Sequence, residues 1–131
     1  MDMEFLKKFL PYGEMTVITQ NPGAFRDELE RVERQLRSLP APEALYGKNP
    51  EEIRIYAHYF GGASDWWVYA LKPDHEYSEA FVCLNGDTWN AEGSPIYIPE
   101  LLPVSLINLD LHWNDETTLK QVMDMVERQA R

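Results

Sequence analysis

The chain has 131 residues with 44% apolar and 26% charged side chains, which excludes disordered and fibrous classes and predicts one globular domain over residues 1–131. A chain of this length buries about two thirds of its unfolded surface and needs no staple, and its one cysteine, Cys83, excludes an intramolecular disulfide and argues against a cysteine-zinc site. No run approaches the roughly 18 apolar residues of a membrane span, and the N-terminal MDMEFLKKFLPYG is no signal peptide, so a cytoplasmic protein is expected.

Residues 4–10 place Phe5, Leu6, Phe9 and Leu10 on one face of a short helix, which Pro11 and Gly13 end. The Thr-rich, β-branched run at 15–19 favours a strand or extended segment. Asn21-Pro22 then opens the clearest helix, residues 22–38, with Asn21 as N-cap and Pro22 at the first helical position. Its stripe is Phe25, Leu29, Val32 and Leu36, and Glu30–Arg34 and Glu33–Arg37 are ion pairs at helical spacing. Pro40 and Pro42 stop it. A loop follows, with turn signals at Gly47 and Asn49-Pro50 and with Tyr46 expected to pin it to the core.

The centre of the chain reads as consecutive antiparallel strands. Residues 53–60 and 66–71 are aromatic and β-branched runs separated by Gly61-Gly62-Ala63-Ser64, and residues 80–84 form a third after Pro73-Asp74. Alternation puts Ile53, Ile55, Ala57 and Tyr59 on one face of the first strand, and Trp66 or Trp67 should be a principal core residue. Cys83, inside the third run, reads as a small buried hydrophobe. Asn85-Gly86-Asp87 is a turn, and residues 96–98, trimmed by Pro95 and Pro99, suit a sheet edge. Residues 109–113 alternate as a last strand. Asn114 caps a final helix over residues 115–129, with Leu119, Val122, Met123 and Val126 on its apolar face. The fold class predicted is α+β: an antiparallel sheet of about four to six strands with the two amphipathic helices, 22–38 and 115–129, packed on one face.

The net charge of −10 is unevenly placed. Between Gly61 and Thr118 the only base is Lys72, against ten acids. A field of this sign repels phosphate, excludes direct nucleic-acid binding and suits a basic protein partner. Asp74, Glu76, Glu79, Asp87 and Glu92 are the candidate partner-binding residues. The competing reading is that the acids serve solubility alone.

Motifs for chemistry are sparse. Gly61-Gly62 lacks the lysine of a phosphate loop, and no serine sits in a Gly-x-Ser-x-Gly elbow. His58, His112 and Asp110 would make a composite metal site only if their strands were neighbours, but they lack the tight grouping of ligand motifs, so no metal or cofactor is assigned. His75 reads as a solvated turn residue. A hydrolase using Asp65, Asp110 and His112 is the alternative to a binding module, with Asp65 beside Trp66-Trp67 as a carboxyl near aromatic rings. Asp65 also reads as a turn residue bonding nearby amides, and no residue is assigned a catalytic role. Trp66, Trp67, Trp89 and Trp113 lack the basic groove of a base-stacking platform and read as core. A homodimer through the edge strand at 96–98 is a third possibility.

Residues 56–113 resemble a domain-of-unknown-function family of small acidic proteins from bacterial plasmids and phages. The likeness runs from Trp67 through Asn85-Gly86, Glu92-Gly93, Ile96 to Ile98 and Glu100-Leu101 to the Leu-Asp-Leu-His-aromatic segment that ends at Trp113. The chain departs from the family at Ala70, where the family tends to carry an acid, and in the N-terminal third. The resemblance implies mobile-element origin, sometimes beside anti-defence genes, and no enzymatic activity. The function expected is therefore a non-enzymatic protein-interaction module, in its sharpest form an anti-defence inhibitor that mimics nucleic-acid charge.

Overall fold

The structure, a computed structural model, describes residues 1–130. Helices α1 (Met3–Leu6), α2 (Tyr12–Gln20) and α3 (Arg26–Arg37) precede strands β1 (Ala57–Gly61), β2 (Ser64–Leu71), β3 (Tyr77–Cys83) and β4 (Glu92–Tyr97). A one-turn helix α4 (Ile98–Leu101), the two-residue strand β5 (Asn108–Leu109) and helix α5 (Leu119–Ala130) complete the chain. The five strands form one antiparallel sheet in the order β4-β3-β2-β1-β5. The α+β class with an antiparallel sheet thus holds, and β4 with its Pro95 lies at an edge, where a missing N–H is tolerated.

Both sheet faces are covered, because the strands are apolar on both. Ala57, Tyr59, Val68, Ala80 and Val82 pack with Phe5, Leu6, Phe9 and Leu10 and with the α3 stripe Leu29, Val32 and Leu36. On the reverse face Trp67, Phe81 and Cys83 pack with Ile53, Ile55 and Leu119, Val122 and Val126 of α5. The two long helices therefore lie on opposite faces, not on one. Trp67 is the principal tryptophan of the core, 4% exposed. Tyr59 is fully enclosed, and its hydroxyl donates to Phe9 O at 2.5 Å, tying the sheet to the N-terminal helices.

Several local expectations need correction. Residues 15–19 are helical, inside α2, because Ile18 enters the core there; the Thr16 and Thr19 hydroxyls are accommodated by donating to the carbonyls of Tyr12 and Met15. Asn21 closes α2 by donating to Val17 O, and α3 begins only at Arg26 after a turn through Gly23. Glu30 pairs with Arg26 rather than Arg34, while the Glu33–Arg37 pair forms at 2.9 Å. Tyr46 is 76% exposed and pins nothing.

The run 53–60 is not one strand. Ile55 N donates to Thr117 O and Leu119 N to Ile53 O, so its first half pairs with the entry to α5. Ile53 and Ile55 fill the α5 side of the sheet, whereas Ala57 and Tyr59 fill the other. The cap of α5 is Thr118, not Asn114: Gln121 N donates to Thr118 Oγ1 and Thr118 N donates to Gln121 Oε1, a reciprocal capping box. Asn114 instead closes the preceding turn by accepting from Glu116 N. The last strand is only Asn108–Leu109. Among the described residues no helix is long and apolar enough to cross a membrane.

Candidate functional site

The β1–β2 hairpin turns at Gly62-Ala63, with Gly62 at φ 57°. Glycine first in a two-residue loop fits the hairpin turn that matches strand twist. The resulting register places His58 opposite Trp67 and Asp65 opposite Phe60, so His58 and Asp65 are diagonal neighbours on the α5 face. The His58 ring stacks on Trp67 with centroids 5.3 Å apart and planes 4° apart. Phe60 and Trp113 stand beside it at 5.4 and 5.1 Å.

Two carboxylates flank this caged imidazole. Asp65 Oδ1 lies 2.8 Å from His58 Nε2, and because a carboxylate only accepts, Nε2–H is the donor of this hydrogen bond. Asp110 Oδ2 lies 3.8 Å from Nδ1, beyond hydrogen-bond reach. Nδ1 is buried and has no partner. Asp110 directly follows β5: its N–H donates to His58 O at 2.9 Å, continuing the strand pairing. Behind it, Arg31 donates to Leu111 O, Gln35 donates to Trp113 O at 2.9 Å, and Trp113 Nε1 donates to Ile55 O at 2.8 Å. The segment is thus held from both faces of the sheet.

These side chains open onto a cleft of about 570 Å³, closed on the other side by Val122, Met125 and Arg128 of α5. The structure therefore brings Asp65 and Asp110 together but leaves out His112, which is exposed and meets Asp110 only through its backbone N–H. The histidine at the centre is His58. The trio Asp65, Asp110 and His112 is corrected accordingly, and no group of three ligand-type side chains arranged to hold a metal occurs among the described residues. Of the His58 ring nitrogens, Nε2 is bonded to Asp65 and Nδ1 is buried. His75 is not a freely solvated turn residue either: at φ 61° it packs edge-on against Phe5 with centroids 5.8 Å apart.

The five partner-binding candidates lie along the β3–β4 side of the sheet. Asp74 Oδ1 accepts from Glu76 N and Tyr77 N, and these bonds hold its carboxyl below the usual range. Asp87 accepts from Asn90 Nδ2 at 2.7 Å. Both acids therefore also shape turns. None of Asp74, Glu76, Glu79, Asp87 and Glu92 makes an ion pair with a described base, and the α3 arginines in ion pairs meet Glu30, Glu33 and Asp2 instead. The register Val82↔Glu92 and Glu79↔Pro95 separates Glu79 and Glu92 by about 10 Å along the strands at the strand rise.

Sequence reasoning assigned Trp89 to the core, but it is 81% exposed, on the turn after Asp87. Leu84 beside that turn is 52% exposed. Leu84, Asp87 and Glu92 line a depression of about 290 Å³. Cys83 is buried on the opposite face of β3 with Trp67 and Phe81, and its thiol is pushed up by burial and by the charges of Asp65 and Asp87. No family model matches the chain, and neither a curated protein nor a solved structure is similar enough to match it.

Proposed function

We propose that the protein is a non-enzymatic docking module whose β3–β4 flank binds a basic protein. The observation that carries this reading is the exposed Trp89 and exposed Leu84 on the β3–β4 connection, on a flank whose carboxylates form no ion pair with a described base. An exposed tryptophan next to apolar surface is the residue type that most often dominates binding energy. Carboxylates around it steer a cationic partner and repel anionic ones. Asp87 and Glu92 line the depression at Leu84, and Asp74, Glu76 and Glu79 extend the negative field toward the other end of the strands.

In its sharper form the partner is a nucleic-acid-binding protein of a defence system, whose lysine and arginine cluster meets carboxylates where phosphates would sit. The resemblance to plasmid- and phage-borne proteins supports that form. The test is affinity capture from the native host at low and high salt, followed by binding measurements with the protein recovered. The expected partner is strongly basic, and Trp89→Ala weakens binding roughly thirtyfold, the effect of losing a hot spot of about 2 kcal/mol. A neutral or acidic partner, or one indifferent to Trp89→Ala, removes the reading. Light scattering distinguishes a second copy of the chain as the occupant, since a homodimer through β4 doubles the mass without any partner.

A further inference from the structure

We propose that the His58 cleft is a receptor for a guanidinium group, presented as an arginine side chain by the docking partner. The inference rests on the docking reading for the source of the arginine, but the chemistry of the cleft stands on its own geometry. Asp65 and Asp110 are one-third exposed, at 33% and 31%. Asp65 gives one oxygen to His58, and Asp110 gives one to the His112 N–H. The remaining acceptor capacity has no protein donor, which is the requirement for a planar, multiply donating cation.

His58 makes the two acids a built pair. Its ring is 14% exposed and caged by Trp67, Phe60 and Trp113, so it cannot swing away. It holds Asp65 directly and spaces Asp110 across its other nitrogen, acting as a positioning residue. The rest of the wall mixes apolar Trp113, Val122 and Met125 with polar Thr117, Gln121 and Gln129, so the apolar surface lies beside groups that can also bond a donor. A guanidinium is weakly hydrated and stacks on such surfaces, whereas an ammonium keeps its water. The only base in the lining, Arg128, is exposed and forms no ion pair with either acid.

The experiment titrates Nα-acetyl-L-arginine amide into the isotope-labelled full chain, following the Trp113 indole N–H and the His58 ring by NMR. Saturable shifts confined to these groups and the α5 face are expected. The citrulline analogue, isosteric but uncharged, should bind at least about tenfold more weakly, as the loss of a charge-assisted pair implies. Asp65→Asn and Asp110→Asn should each weaken the arginine probe about fivefold or more, and Arg128→Glu, a change at an exposed position, should tighten it severalfold. Equal binding of citrulline, no saturable shift, or indifference to Arg128→Glu overturns the proposal. Should the aspartate variants lose a dispersed spectrum, Arg128→Glu still decides. The combined Glu76→Gln, Glu79→Gln and Glu92→Gln variant should leave the arginine probe unchanged while weakening the partner. Failure of the docking reading and failure of the cleft are therefore read separately.

Discussion

Gly61 is where the edge strand that carries Asp110 meets the sheet, and Gly61→Ala tests that junction. A Cβ at this position would lie 2.3 Å from Leu106 O, 2.8 Å from Leu106 C and 2.9 Å from Ile107 Cα. All three are backbone atoms, so no side chain can rotate away, and the segment must move by about 1 Å to reach ordinary contact. Movement disturbs the Phe60↔Asn108 and Tyr59↔Leu109 pairings and the bond from Asp110 N to His58 O. Overpacking of this kind costs about 1–3 kcal/mol, and weakening one or two ladder bonds adds about 1 kcal/mol. A loss of about 2–4 kcal/mol is expected, which for a chain of this size lowers Tm by roughly 10 °C. Urea and thermal unfolding followed by tryptophan fluorescence measure it. A Tm within about 2 °C of the parent would show that β5 does not approach β1 as described, and the placement of Asp110 would fall with it.

Gly13, inside α2 with nothing near its missing Cβ, should gain about 0.5–1 kcal/mol on Gly13→Ala, read as a rise in the urea midpoint. Tyr59→Phe should lose about 1–2 kcal/mol by stranding the buried Phe9 carbonyl, with no change in the strand pairing seen by NMR. Glu14 is half-buried in α2, and burial first, then the charge of Asp110, pushes its carboxyl up from 4.5 to about 7, against the pull of the Leu109 N–H it accepts. The native state then keeps a proton that the unfolded chain releases, so this contribution to stability is full below pH 4.5 and lost as pH rises to about 7. Discounted for solvent screening, the loss is about 1–2 kcal/mol. Glu14→Gln should erase it, so that the variant gains on the parent between pH 4.5 and pH 8 in urea unfolding, and a constant difference across that range would contradict the placement.

The strands were legible because their residue types do one job each. Trp67, Val68, Ala80 and Val82 are buried by a sheet whatever covers it, and Gly62 and Asn85-Gly86 turn the chain at positive φ. What hid was decided by tertiary partners. The α2 threonines look like strand formers until their hydroxyls find carbonyls one turn back. Alternation at Ile53, Ile55, Ala57 and Tyr59 continues through a point where the chain changes both partner and face, so one pattern served two structures. Asp65 beside Trp66-Trp67 and Asp110 between Leu109 and Leu111 stand out in the sequence, which groups them with His112 rather than with His58. A usable signal existed: a loop restricted to Gly62-Ala63 sets His58 opposite Trp67 and diagonal to Asp65. The Thr118-x-x-Gln121 box was equally readable and would have started α5 where it starts. Nothing in the local sequence marked Trp89 as exposed, since its turn is held by backbone bonds and Asp87.

The most direct measurement is the association rate with the captured basic partner across a salt series, for the parent and for the variant with Asp74→Asn, Glu76→Gln, Glu79→Gln and Asp87→Asn combined. Steering by the uncompensated flank predicts a parent rate that falls about tenfold or more between low and high salt, and a variant that is slow throughout and nearly flat. Equal rates and equal salt slopes for the two proteins would mean that these carboxylates only keep the chain in solution.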